Sequence, residues 1–178
     1  MINKTEINPS INATAINSEV GQATAINPNI VTASANLSAG TVLAGKYEIV
    51  EPLSASTGEA DLYVCKYNGA DYVAKVYRRQ RAVKPEVITV LKSIDSPYVA
   101  KLIDTGIYND RPFEVLPYYK NGSLQGKKFT FDELKKTIIP CINEALRVLH
   151  QNDIIHKDLK PSNIMLLDDN KSVAIIDF

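Results

Sequence analysis

The chain has 178 residues, with 20 Lys and Arg against 20 Asp and Glu, so its formal net charge is zero. That balance excludes a basic footprint for nucleic acid and a polybasic membrane patch. No apolar run approaches the ~20 residues of a membrane span, and the N-terminus lacks the apolar h-region of a signal peptide. The two cysteines, Cys65 and Cys141, lie far apart with no His at a zinc-ligand spacing. They read as reduced, buried small side chains of a cytoplasmic protein.

Residues 1 to about 40 are dominated by Asn, Ala, Thr, Ser and Ile, with no aromatics and sparse charge. Ala13-Thr14-Ala15-Ile16-Asn17 returns as Ala23-Thr24-Ala25-Ile26-Asn27, and Ile7-Asn8-Pro9 as Ile26-Asn27-Pro28. Two copies are too few for a solenoid. The expectation is a flexible low-complexity tail over 1–40, with Thr14 and Thr24 as candidate phosphorylation sites.

A composition shift at Gly40-Thr41 opens a domain over 41–178. Lys46-Tyr47-Glu48-Ile49-Val50 alternates as a strand does. Two β-rich runs, 62–66 and 72–77, flank Asn68-Gly69, a strong hairpin signal. Pro85 begins a helical segment with Val87, Val90, Leu91 and Ile94 on one face. Val99 to Ile107 and Phe113 to Leu116 read as two more strands. Thr130 and Glu133 form a capping box that opens a helix running to about His150. Leu134, Ile138, Cys141, Ile142, Ala145, Leu146, Val148 and Leu149 give it an apolar face wider than the ~100° stripe of a surface helix. Pro140 should kink it, because proline cannot donate to the carbonyl of Lys136.

Near the end, Ile154-Ile155 leads into His156-Lys157-Asp158-Leu159-Lys160-Pro161-Ser162-Asn163, then Ile164-Met165-Leu166-Leu167. A second apolar run, Val173-Ala174-Ile175-Ile176, delivers Asp177-Phe178. This resembles the protein kinase family, with its H-R-D-L-K-P-x-N catalytic loop and the Asp-Phe of its D-F-G element. The resemblance runs from about Lys46 to Phe178 and has a bacterial flavour. It implies an α+β, protein-kinase-like fold: a five-stranded antiparallel small lobe with one helix over about 46–119, and the first, mainly helical part of a large lobe over 120–178. The D-F-G glycine and the family's later segments have no counterpart here, so the resemblance implies a truncated domain. The apolar face of 131–150 should then be partly exposed, and the chain marginally stable or self-associating.

The resemblance also implies roles. Asp158 matches the Asp that accepts the substrate hydroxyl proton, and Lys160 the lysine that contacts the γ-phosphate in Ser/Thr-type kinases. Asn163 and Asp177 match the metal ligands; oxygen donors suit a hard cation such as Mg²⁺. Lys75 matches the strand lysine on the α/β-phosphates of ATP. Glu86 is the candidate carboxylate partner of Lys75, although counting back from Ser96-Pro97 puts Val87 there, and one residue is about 100° on a helix. His156 is expected to pack under Phe178. Lys157 stands where the family has Arg and offers a point charge instead of a bidentate fork.

The nucleotide-covering loop departs most from the family. Its three glycines become Ala55, Thr57 and Ala60, with Gly58 displaced by one, which implies reduced nucleotide affinity. Leu62 and Val73 complete the nucleotide-lining set. In Phe113 to Leu124, Leu116 matches the gatekeeper, Pro117 offers a carbonyl to the adenine amino group, and Tyr119 offers its backbone N–H to the ring.

The reading is an ATP- and Mg²⁺-dependent protein serine/threonine kinase. Its partners would be ATP and protein substrates with Ser/Thr, the chain's own N-terminal tail among them, and neither nucleic acid nor membrane. The alternative is a catalytically inactive pseudokinase or fragment acting as a nucleotide-binding or interaction module. A small-molecule phosphotransferase of the aminoglycoside or choline kinase type shares the H-x-D-x-x-x-x-N loop but usually lacks the Lys160-Pro161 pair.

Overall fold

The structure is a computed structural model that describes residues 34–53, 59–78 and 85–177, all within one compact unit. The tail threonines Thr14 and Thr24, the loop positions Ala55, Thr57 and Gly58, and Phe178 lie outside the described residues.

Six strands form one antiparallel sheet: β1 (Val42–Leu43), β2 (Tyr47–Pro52), β3 (Ala60–Tyr67), β4 (Ala70–Tyr77), β5 (Asp104–Tyr108) and β6 (Arg111–Pro117), in the order β1-β2-β3-β4-β6-β5. This is one strand more than expected, because the two residues of β1 pair with the start of β2. The β3–β4 hairpin turns at Asn68 (φ 50°) and Gly69 (φ 78°). Two successive positive φ values are what a type I′ turn requires, and its twist matches that of the strands.

Period-two alternation sorts the sheet into two faces. Leu43, Tyr47, Ile49, Tyr63, Cys65, Ala74, Val76, Phe113 and Val115 form a buried cluster on one of them. Ala35 and Leu37 pack against it. Asp61, on the same face, accepts hydrogen bonds from the Ala35 N–H (2.6 Å), the Ser34 hydroxyl (2.9 Å) and Arg78 Nη2 (2.6 Å). The Leu37 N–H donates to the Tyr63 hydroxyl. Residues 34–40, assigned to the tail on composition, therefore begin the packed chain before residue 41. The opposite face carries Leu62, Lys75 and Glu114 in one row and Val64, Val73 and Leu116 in the next.

The helix α1 (Pro85–Ser93) buries Leu91, with Ile88 and the following Ile94 against the same core. Val87, expected on the buried face, is 41% exposed. It precedes Ile88 by one residue, which turns it about 100° toward water. The strand expected over 99–107 begins only at Asp104. The backbone before it is engaged elsewhere: Val99 bridges Ile175 in parallel, and Ile175 exchanges hydrogen bonds with Tyr98 and Ala100.

The capping box forms as expected: the Glu133 N–H donates to Thr130 Oγ1 and the Thr130 N–H to Glu133 Oε2. The helix it opens has three parts, α2 (Phe131–Glu133), a π turn (Leu134–Ile138) and α3 (Ile139–Gln151). The Ile139 N–H reaches back to the Leu134 carbonyl, so the widened turn sits directly before Pro140. That insertion absorbs the missing proline donor. It puts Ile138, Cys141, Ala145 and Leu149 on one buried face, while Leu134, Ile142, Leu146 and Val148 are only partly covered.

α3 ends in a Schellman motif. The Ile154 N–H bonds to the Leu149 carbonyl and the Asp153 N–H to the His150 carbonyl, with Asp153 at φ 58°. Ile154 packs into the same core as Leu149, and this fixes where the chain leaves the helix. A two-stranded hairpin, β7 (Ile164–Leu166) and β8 (Val173–Ile175), packs on α3 and the π turn.

Candidate active site

The segment after the Schellman turn folds around His156. This side chain is buried, and its Nε2 lies 2.9 Å from the Ile176 carbonyl. The Asp158 N–H donates to the His156 carbonyl (2.8 Å) and, more weakly, to Nδ1 (3.3 Å). With Nδ1 accepting, the ring carries its proton on Nε2 and donates to Ile176. Lys157, at the centre of this tight turn, has φ 63° and points to solvent. A positive φ at a lysine is sterically unfavourable, and the bonds on either side hold it there.

Asp158 is bound through one oxygen. Lys160 Nζ (2.7 Å) and Asn163 Nδ2 (3.2 Å) both donate to Oδ2. Lys160's hydrogen bond is the main reason the Asp158 carboxyl is held below its usual range, and the same bond raises the Lys160 ammonium. The Asp158 carboxylate is therefore ionised at neutral pH, and both donors are on Oδ2. Asn163 closes a single 3₁₀ turn, Pro161–Asn163, and is buried. Its Nδ2 also donates to the Asp158 carbonyl (3.0 Å). Its own carbonyl accepts from the Ile176 N–H (3.0 Å). Ile176 is thus tied to both Asn163 and His156, and this delivers Asp177 beside the loop.

Asp177 adopts φ 66° and forms an ion pair with Lys75. Lys75 is almost fully buried, whereas the Asp177 side chain is 38% exposed. The expected partner, Glu86, does not meet Lys75: it is exposed in the first turn of α1. The buried face of α1 runs through Ile88 and Leu91, and this turns both Glu86 and Val87 outward.

The residues expected to line a nucleotide share one face of the sheet. Leu62 is directly opposite Lys75, and Val73 directly opposite Leu116. Pro117 ends β6. Tyr119 follows, and burial pushes its phenol up to about 12. This connection is pinned to the β7–β8 hairpin: Asn121 Nδ2 donates to the Leu167 carbonyl (2.7 Å), and the Leu124 N–H to the Ile164 carbonyl (2.8 Å).

A profile of the protein kinase domain family matches residues 54–178. The chain belongs to the protein kinase family. It is 28% identical over 166 residues to the serine/threonine-protein kinase RIM15 of Saccharomyces cerevisiae, covering 86% of this chain and 9% of that one. It is 26% identical over 151 residues to CBL-interacting protein kinase 11 of Oryza sativa subsp. japonica, covering 78% and 30%. Identity to the cAMP-dependent protein kinase type 3 of S. cerevisiae is 28% over 145 residues, covering 74% and 36%. The chain thus spans between 9% and 36% of the length of these relatives. All three are eukaryotic, so the bacterial flavour read from the sequence has no support from them.

Within this kinase domain, Asp158, Lys160 and Asn163 form one hydrogen-bonded group, and Asp177 with Lys75 a second, joined through the backbone of Ile176. Two side chains of the second group escaped the sequence reading. Glu114 lies opposite Lys75, and Tyr77 donates to Glu114 Oε2 at 2.9 Å. Strand alternation carried the signal for both, since Tyr77 is two residues from Lys75 and Glu114 two from Leu116.

The donor set fits a hard divalent cation. Asn163 spends its amide nitrogen on Asp158, which leaves its amide oxygen as an acceptor, and Asp177 supplies a carboxylate. Among the described residues no cluster of three His, Cys, Asp or Glu side chains could hold a metal by itself. Phosphate oxygens and water would have to complete the shell, as is usual for Mg²⁺.

Proposed function

We propose that this chain carries the nucleotide site and catalytic group of an ATP- and Mg²⁺-dependent protein serine/threonine kinase. The observation that supports this most is the single-sided binding of Asp158. Lys160 and Asn163 hold Oδ2, so Oδ1 is presented to an incoming hydroxyl.

Phosphoryl transfer needs positioning and charge stabilisation more than covalent chemistry. Asp158, ionised at neutral pH, accepts the hydrogen bond of a Ser or Thr hydroxyl, orients its oxygen and takes its proton as the bond to the γ-phosphorus forms and the bond from that phosphorus to the β–γ bridging oxygen breaks, releasing ADP. Lys160, beside it, meets the charge on the transferred group. Lys75 reaches the phosphates from the sheet. Leu62, Val73 and Leu116 hold the adenine on an apolar face, with the backbone of Pro117 and Tyr119 at its polar edge. Asn163 and Asp177 would hold Mg²⁺, which would neutralise phosphate charge.

The chain divides into a small lobe to about residue 119 and large-lobe elements from 120. The N-terminal Thr14 and Thr24 are proposed substrates in cis. Two reduced cysteines fit a cytoplasmic setting.

Incubation with γ-labelled ATP, Mg²⁺ and a Ser/Thr-rich protein acceptor, followed by phosphoamino-acid analysis, tests this. Phosphoserine or phosphothreonine is expected. The solvent-facing Glu86 favours a second reading, a module that binds nucleotide without transferring phosphate. Saturable ATP binding with no labelled product would select it.

A further inference from the structure

We propose that Glu114 is a positioning residue for Lys75, supplying from the neighbouring strand the carboxylate that α1 does not present. This rests on the reading of the Lys75 face as the nucleotide site.

Lys75 and Glu114 are directly opposite each other in the β4–β6 pairing. Opposed residues of an antiparallel pair point to the same face with Cβ atoms about 4.5–5.5 Å apart. Glu114 is half-buried and oriented by the Tyr77 hydroxyl at 2.9 Å. The Tyr77 ring lies 5.1 Å from Lys75 Nζ. Lys75, Tyr77 and Glu114 thus form one cluster on two adjacent strands.

A buried ammonium needs a nearby anion. In this structure Asp177 provides one. Asp177 is also the proposed metal ligand, and a bound cation would compete with Lys75 for that carboxylate. Glu114 then holds the charge and the direction of Lys75 while the ammonium faces the phosphates. The strand pairing that fixes Glu114 does not depend on where α1 sits, so the Lys75 geometry is independent of movement of that helix. Glu86, exposed at the far end of α1, takes no part.

The experiment is a Mg-ATP titration of the full chain and of Glu114→Gln, Glu86→Gln, Lys75→Met and the Lys75→Met/Glu114→Gln double variant, with thermal melts beside each. Lys75→Met is expected to weaken binding, and Glu114→Gln to weaken it about 5- to 10-fold with the melt retained. The double variant should be no worse than Lys75→Met alone. Additive losses in the double variant, or a Glu86→Gln loss equal to that of Glu114→Gln, would overturn the proposal. Unchanged binding in Lys75→Met would instead overturn the reading of the nucleotide site itself. If Glu114→Gln does not fold, Tyr77→Phe decides: it keeps the carboxylate but removes its donor. Its affinity should drop about 2- to 5-fold, and wild-type affinity would sink the proposal.

Discussion

Lys75 and Asp177 are 102 residues apart in the chain, yet they form an ion pair that joins the six-stranded sheet to the segment after β8. Asp177 holds a left-handed backbone, which Asn tolerates as well as Asp does. Asp177→Asn therefore removes the charge without disturbing the turn. Lys75 loses its anion, but water reaches the Asp177 side chain and shares the cost. The expected destabilisation is about 1 kcal/mol, a fall in Tm of about 2–4 °C. Mg-dependent strengthening of nucleotide binding should disappear with it. An unchanged melt and an unchanged Mg²⁺ response would contradict the pairing.

Asp61 gives a pH prediction. Burial pushes its carboxyl up, but Arg78, the Ala35 N–H and the Ser34 hydroxyl together outweigh this and leave it below its usual range. A carboxylate depressed by folding contributes stability above its unfolded value of about 3.9. That contribution is lost as pH falls through the lower folded value. Wild-type stability should therefore fall more steeply below about pH 4 than that of Asp61→Asn. At neutral pH the variant should be less stable by about 1–3 kcal/mol, since Arg78 loses its partner. Parallel pH profiles in urea titrations would count against the Asp61 hub.

Gly106 is opposite Phe113 in the β5–β6 pairing. A Cβ built there would lie 2.6 Å from the Phe113 ring, in the fully packed face of the sheet. Gly106→Ala should cost about 1–3 kcal/mol by overpacking. Gly69→Ala, which meets nothing within 4 Å but sits at positive φ, should cost about 1 kcal/mol. Equilibrium unfolding of both would check the order: a Gly106→Ala variant as stable as wild type would mean that the ring does not sit over the glycine.

The catalytic loop was legible in the sequence because its chemistry is local: Asp158, Lys160 and Asn163 bond to each other within a few residues. The hairpin at Asn68-Gly69 and the capping box at Thr130 were legible for the same reason. The Lys75 partner was not. It turned on which side of α1 is buried, and that side proved to be that of Ile88 and Leu91. The strand expected over 99–107 was shortened by a long-range pairing of Val99 with Ile175, which no local pattern announces. Pro140 marked a disturbance in the helix, but not that a π turn would take it up. Residues 34–37 look like tail by composition. They pack because Asp61 and Tyr63, on the buried face of the sheet, accept their hydrogen bonds and the cluster there takes Ala35 and Leu37.

The role of Asp158 is decided by phosphate incorporation from γ-labelled ATP and Mg²⁺ by the chain and by its Asp158→Asn variant, into added protein and into the chain's own tail. Mg²⁺-dependent transfer by the chain is expected, with a loss of at least about 10²-fold in the variant and nucleotide binding retained. Equal transfer by both would contradict the assignment of Asp158, and with it the proposed chemistry of the site.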